Sequence, residues 1–201
     1  MPETNVRGTF DGVTPEVAWL LLAYTLPPEP SRMRVSIWRR LRKLGAVYME
    51  EGFWVLPNTA KLAVELKSVI QDIQNFQGTA SAFLSTALDE TQSQRLRSRL
   101  LVSRDEEYAE LLGQCERFMT HIAHAISTKR YTFAEVEELE EEMSKLERWL
   151  EEIRSRDLFG SGQSNVSLEA IARGRDALHQ FTERAFLESS DAKGRLDPPV
   201  D

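Results

Sequence analysis

The chain has 201 residues, 41% of them hydrophobic and 28% charged, a profile that fits a folded globular protein and excludes a disordered one. Its formal net charge of -7 repels polyanions overall, so contact with nucleic acid or an anionic membrane requires a local basic patch. A single cysteine, Cys115, excludes a disulfide framework and a cysteine-rich metal site.

The N-terminal MPETNVRGTFDGVTPEV lacks a basic region followed by an apolar core, so no secretory signal is expected there. Residues 1–16 read as a flexible lead-in. The longest apolar run, Val17 to Tyr24, is far short of the ~20 residues of a membrane helix. It is apolar on both faces, which predicts a central strand covered on two sides. A cytoplasmic protein without membrane contact is expected.

Leu26-Pro27-Pro28-Glu29-Pro30 stops that strand, because proline cannot extend a ladder. From Ser31 to Leu44 the apolar positions Met33, Ile37, Trp38, Leu41 and Leu44 form a helical stripe. At about 100° per residue, Arg32, Arg39 and Lys43 fall together on the opposite side with Arg40 and Arg42 beside them. Arg34 falls on the inward arc, between Leu41 and Trp38. Gly45 is placed to end the helix in a left-handed cap.

Ala46 to Met49 and Phe53 to Leu56 are β-rich runs around a short glycine-containing turn, which predicts a hairpin. Asn58 or Thr59 caps the next helix, with Leu62, Leu66, Val69, Ile70 and Ile73 inward and Gly78 closing it. Thr79 to Leu88 reads as a last strand. The order strand, helix, strand, strand, helix, strand is the split βαβ arrangement of a ferredoxin-like sandwich, so residues 17–88 are expected to form an α+β module.

From Asp89 onward only helical periodicity appears, so residues 89–188 are expected to form an all-α module. Ser103 and Glu106 have capping-box spacing and suggest a bend or a fresh start. Tyr108, Leu111, Leu112, Cys115, Phe118, Met119 and Ile122 supply an apolar stripe. Thr132 and Glu135 form a second capping box, opening a helix with Leu139, Met143, Leu146, Leu150 and Ile153 inward. Glu135, Glu137, Glu138, Glu141 and Glu142 give that helix an acidic, solvated face. A loop from Asp157 to Ser164 precedes a helix that Ser167 caps, with Leu168, Ile171, Leu178, Phe181 and Ala185 inward. Residues 189–201 read as a disordered tail.

Three linked stretches carry a family resemblance: WLLLAYTLPPEPSRMRVSIWRRLRKLGAVYMEEGFWVLP, RDEEYAELLGQCERF and FAEVEELEEEMSKLERWLEEIRSRDLFG. Together they resemble the N-terminal domain of the ChrB family, regulators associated with bacterial chromate resistance, over roughly Ala18 to Phe186. A more distant likeness is to PaaX-type repressors, without the winged helix with which those begin. The resemblance implies a dimeric, DNA-binding transcriptional regulator, with an oxyanion such as chromate as the effector. ChrB proteins continue into a second domain that the resembling stretches do not include. Small CRISPR-associated nucleases share the ferredoxin-like module but carry an aspartate at the end of the first strand. Thr25 stands there in this chain, and a nuclease needs a carboxylate to hold its metal.

The basic row Arg32, Arg39, Arg40, Arg42 and Lys43 is the candidate DNA-binding surface, since guanidinium forks and an ammonium on one helix can track phosphates. The plainer reading is a solvated face balanced by the acidic helix from Glu135, in an interaction or dimerisation module without DNA binding. Arg34 either pairs with a carboxylate, as an inward arginine must, or lines an anion site near the helix N-terminus. His121 and His124 share a face, with Cys115 and Glu116 earlier, but the spacing does not converge four ligands, so helix-surface histidines are expected and no metal. His179 is isolated. Cys115 in an apolar stripe is expected to be an inert thiol. No nucleophile with a histidine and acid, and no phosphate-binding glycine loop, is present, so no catalysis and no cofactor are expected.

Overall fold

The computed structural model describes residues 18–194, with the side chains of 190–194 excepted. The expected lead-in over 1–16 and the last residues of the expected tail lie outside the described residues. The protein is α+β, and its two compact units divide between Leu100 and Leu101.

In the first unit β1 (Trp19–Thr25) is followed by α1 (Ser31–Lys43), β2 (Val47–Tyr48), β3 (Trp54–Pro57), α2 (Ala60–Asn75) and β4 (Thr79–Ser85). The sheet order is β2-β3-β1-β4 and every pairing is antiparallel. This is the order produced by two interlocked β-α-β units, as the succession of elements predicts. Leu20 opposes Leu56 and Leu22 opposes Trp54. These four side chains share one face of the pleat and pack with Ile37 and Leu41 of α1 and Leu66, Val69 and Ile73 of α2. Both helices therefore cover the same side of the sheet. Burying Leu22, Ile37, Leu41, Leu56, Val69 and Ile73 completely stabilises the unit by roughly 1.5–3 kcal/mol per side chain.

The helix ends follow their local chemistry. Gly45 has φ +81° and follows the last turn of α1, while the Ala46 N–H reaches the Leu41 carbonyl at 3.0 Å, as a left-handed cap requires. Thr59 caps α2, its hydroxyl accepting from the Leu62 N–H at 3.1 Å. At the other end Gln77, not Gly78, takes the left-handed conformation, with φ +59°. Gly78 serves a different need: a Cβ there would lie 2.4 Å from the Thr25 carbonyl oxygen. The expected stripe on α1 also needs one correction. Trp38 is 51% exposed and belongs to the surface, not to the core.

After β4 comes α3 (Glu90–Ser127), an unbroken helix within which the unit boundary falls. Its N-terminal end is capped by Asp89, which accepts from the Gln92 N–H at 2.8 Å. The capping-box reading of Ser103 fails, because Ser103 is buried inside the continuous helix. Within the first unit, Arg95 pairs with Glu51 and Arg99 with Glu50, both at 2.7 Å, tying the start of α3 to the β2–β3 turn.

The second unit continues α3 and adds α4 (Phe133–Arg156) and α5 (Gln163–Gly194). Tyr108, Leu111, Cys115, Phe118 and Ile122 meet Leu139, Met143, Leu146, Leu150 and Ile153 in one core, joined by Ile171, Leu178, Phe181 and Ala185 of α5. Met119 is 40% exposed and Leu168 37% exposed, at the edges of their stripes. Thr132 caps α4 as expected, accepting from the Glu135 N–H at 3.2 Å. Ser167 does not cap α5. It lies inside that helix, fully buried, and Ser161 serves instead by accepting from the Gln163 N–H at 3.0 Å. The helix also runs past Ser189, where the sequence suggests a tail, to Gly194.

Candidate nucleic-acid interface

The basic row on α1 is one structural surface with three kinds of member. Arg32, Arg39 and Lys43 are exposed. Arg40 is half-buried and turned onto α2, where it pairs with Asp72 and donates to the Ser68 hydroxyl at 3.1 Å. Arg42 lies over the Trp38 indole, 6.0 Å from the ring centroid, within reach of a cation–π contact. The last turn of α1 holds Arg40, Arg42 and Lys43, where cations complement the free carbonyls of a helix C-terminus. Part of the row is therefore explained by the helix itself and part is presented to solvent.

The surroundings favour an anion. Residues 1–100 carry twelve Lys and Arg against ten Asp and Glu, so a chain that is acidic overall has a slightly basic first unit. In the second unit the glutamates of α4 find local partners: Glu135 with His121 and Arg130, Glu142 with His121, and Glu147 with Arg175.

Arg34 is exposed and is held by backbone carbonyls. Its guanidinium donates through Nη1 to the carbonyl oxygens of Pro28 and, at 3.3 Å, Pro27. No carboxylate pairs with it among the described residues. It borders a cavity of about 420 Å³ together with Trp38, Tyr24, Tyr48 and Trp54. Sequence reasoning missed this group. Trp38 was assigned to the core by its spacing, and the other three rings lie on three different strands, so only the sheet brings them together. The inward placement of Arg34 needs the same correction as that of Trp38, since both are exposed, and the one legible signal is that helical spacing sets the two side by side.

The histidines and the thiol also have definite surroundings. Nε2 and Nδ1 of His121 lie 3.1 Å from Glu135 and Glu142 respectively. Hydrogen bonding to Glu142 is the main reason its pKa is raised, against an opposing effect of burial. Glu135 is itself buried, so it does not belong to the solvated acidic face on which the sequence places it. Among the described residues, no group of three or more His, Cys, Asp or Glu is arranged to hold a metal ion. Cys115 is 5% exposed, and burial pushes its thiol up. Among the described residues no helix is long and apolar enough to cross a membrane.

Comparison with known proteins places this geometry in a family context. The family model described as "Protein ChrB, N-terminal" matches residues 34–192. The chain is 30% identical over 165 residues to Protein ChrB of Cupriavidus metallidurans, an alignment covering 81% of this chain and 46% of that protein. The chain thus spans about half the length of the curated relative it matches. No solved structure matches it.

Proposed function

The chain belongs to the ChrB N-terminal family, and from that premise we propose that it is a non-catalytic, DNA-binding transcriptional regulator linked to chromate resistance. The observation that carries the reading is the exposed row of Arg32, Arg39 and Lys43 on α1, in a slightly basic unit of an otherwise acidic chain. In this reading those three side chains contact phosphate oxygens, Arg42 adds charge from its seat on Trp38, and Arg40 holds the helix in place. Phosphate contacts of this kind position a protein on DNA without reading its sequence. The proposal assigns the protein to the cytoplasm as a homodimer, with an oxyanion such as chromate as its effector.

Fluorescence anisotropy with a labelled duplex from upstream of the protein's own gene, repeated across salt concentrations, tests it. Three phosphate contacts give a slope of log affinity against log salt of about -3 per protomer, and an Arg32→Ala, Arg39→Ala double variant lowers that slope by about 2. Absence of binding to both the upstream duplex and a random one at low salt overturns the reading. It would favour the second one, a non-catalytic interaction module, for which the internal engagement of Arg40 and Arg42 speaks.

A further inference from the structure

The cavity beside Arg34 is not used by the reading above, and its lining is chemically selective. Trp54 of β3 forms its floor at 5% exposed, while Trp38 of α1 and Tyr48 of β2 stand at its rim with 51% and 56% of their surface open. Tyr24 of β1 completes the aromatic wall. Large rings left half open around a concave surface of this kind mark a place where something apolar is covered.

The walls are held in place before any ligand arrives. Tyr48 and Trp54 are cross-strand partners, packed edge to face with centroids 5.4 Å apart at 61°. Arg42 braces the Trp38 indole. Burial pushes the Tyr24 phenol up, and the indole N–H of Trp54, donating to it, offsets this only in part. The phenol is therefore neutral at physiological pH. Gly52, at φ +93° in the β2–β3 turn, lines the opening without adding a side chain.

Charge then decides the ligand. Four aromatic rings alone would suit a quaternary ammonium, but among the described residues the ionic group lining the cavity is the cation Arg34, with no carboxylate beside it. Arg34 is anchored by one edge, Nη1 being held by the Pro28 and Pro27 carbonyls. Nε and Nη2 take no partner among the described residues. Those two N–H groups form a fork that matches the two oxygens of a carboxylate. A bare tetrahedral oxyanion would find one guanidinium and leave the rings uncovered. A phosphate dianion would call for a second cation, and among the described residues Arg34 alone lines the cavity with positive charge.

We propose that this cavity binds a small aromatic carboxylate, its ring stacked among Trp38, Tyr48 and Trp54 and its carboxylate forked by Arg34. The site lies within the first unit and does not depend on α1 touching DNA.

Isothermal titration calorimetry of the full chain tests the assignment, with 1-naphthoate as the probe and 1-naphthalenemethanol, 1-naphthylmethylammonium, adenosine monophosphate and sulfate as controls. The expected result is saturable binding of 1-naphthoate, weakened at least about tenfold by Arg34→Gln and by Tyr48→Ala. The neutral and cationic analogues should lose at least as much. Tyr48 is a rim residue, so its variant keeps the test valid if Arg34→Gln disturbs the Pro27–Pro28 turn. The proposal is overturned if 1-naphthoate shows no saturation up to about 1 mM, or if both variants bind it as well as the parent. Tighter binding of adenosine monophosphate, or of sulfate alone, overturns the carboxylate assignment. None of these outcomes bears on DNA affinity, so this proposal and the regulator reading fail separately.

Discussion

Nε2 of His121 lies 3.1 Å from Oε1 of Glu135, so a histidine in the last third of α3 is joined to the first turn of α4. The other oxygen of Glu135 receives Arg130 at 3.2 Å, and the other ring nitrogen of His121 meets Glu142 at 3.1 Å. Glu135 also offers its backbone N–H to Thr132. Glu135 therefore closes the α3–α4 turn through both oxygens of its buried carboxylate and through its backbone N–H. A buried carboxylate is stable only when paired in this way.

This arrangement predicts that stability falls as pH rises above the ordinary histidine range. The two glutamates favour the charged imidazolium, so the folded-state pKa is above its ordinary value. The stabilisation is fully present below about pH 6.5 and is lost as pH rises through the folded-state value. Glu142 is 38% exposed, so solvent screens part of the effect and about 1 kcal/mol is a fair magnitude. Thermal melts of the parent and His121→Gln should differ more at about pH 6 than at about pH 9. An equal difference at both would mean that the ring is neutral in the fold.

The same residues show what periodicity can and cannot reveal. The stripe Leu139, Met143, Leu146, Leu150 and Ile153 was legible because helical spacing fixes a face, and all five are buried. Thr132 and Gly45 were legible because caps are local chemistry. Glu135 was not, since its burial depends on His121 and Arg130, brought near by the α3–α4 turn. Ser103 and Ser167 illustrate the converse, because capping spacing inside a long helix carries no information about where the helix starts. The aromatic wall around Arg34 was invisible for the reason Glu135 was. Tyr24, Tyr48 and Trp54 meet through strand pairing alone.

The division of labour along α1 gives a second prediction. Arg40 bonds Asp72 and Ser68 across the α1–α2 contact, whereas Arg39 is exposed one residue earlier. Arg40→Ala should lower stability by about 0.5–1 kcal/mol, the range of a half-exposed pair. Arg39→Ala should leave stability within about 0.5 kcal/mol and weaken DNA binding in a salt-dependent way. Urea unfolding and anisotropy on both variants separate the two roles. Identical behaviour of the two variants in both assays would remove the distinction.

The end of α2 gives the third. Gln77 holds a left-handed backbone at φ +59° that glycine adopts without strain, while Gly78 next to it has φ outside that region. A Cβ on Gly78 would meet the Thr25 carbonyl at 2.4 Å, Leu26 at 2.8 Å and Ile73 at 2.9 Å. Leu26 can shift, but the Thr25 carbonyl is backbone, fixed by the pairing of Thr25 with Thr79. Relief therefore means moving β1 away from the turn that leads into β4. Gly78→Ala should cost about 2–4 kcal/mol, at or beyond the upper end of ordinary overpacking. Gln77→Gly should be neutral or stabilising by up to about 1 kcal/mol, because the αL strain it removes is offset by the added freedom of the unfolded chain. Equilibrium urea unfolding of both variants reads the signs directly. A Gly78→Ala protein as stable as the parent would show that β1 can yield at Thr25, and the close approach would then not be what requires glycine at this position.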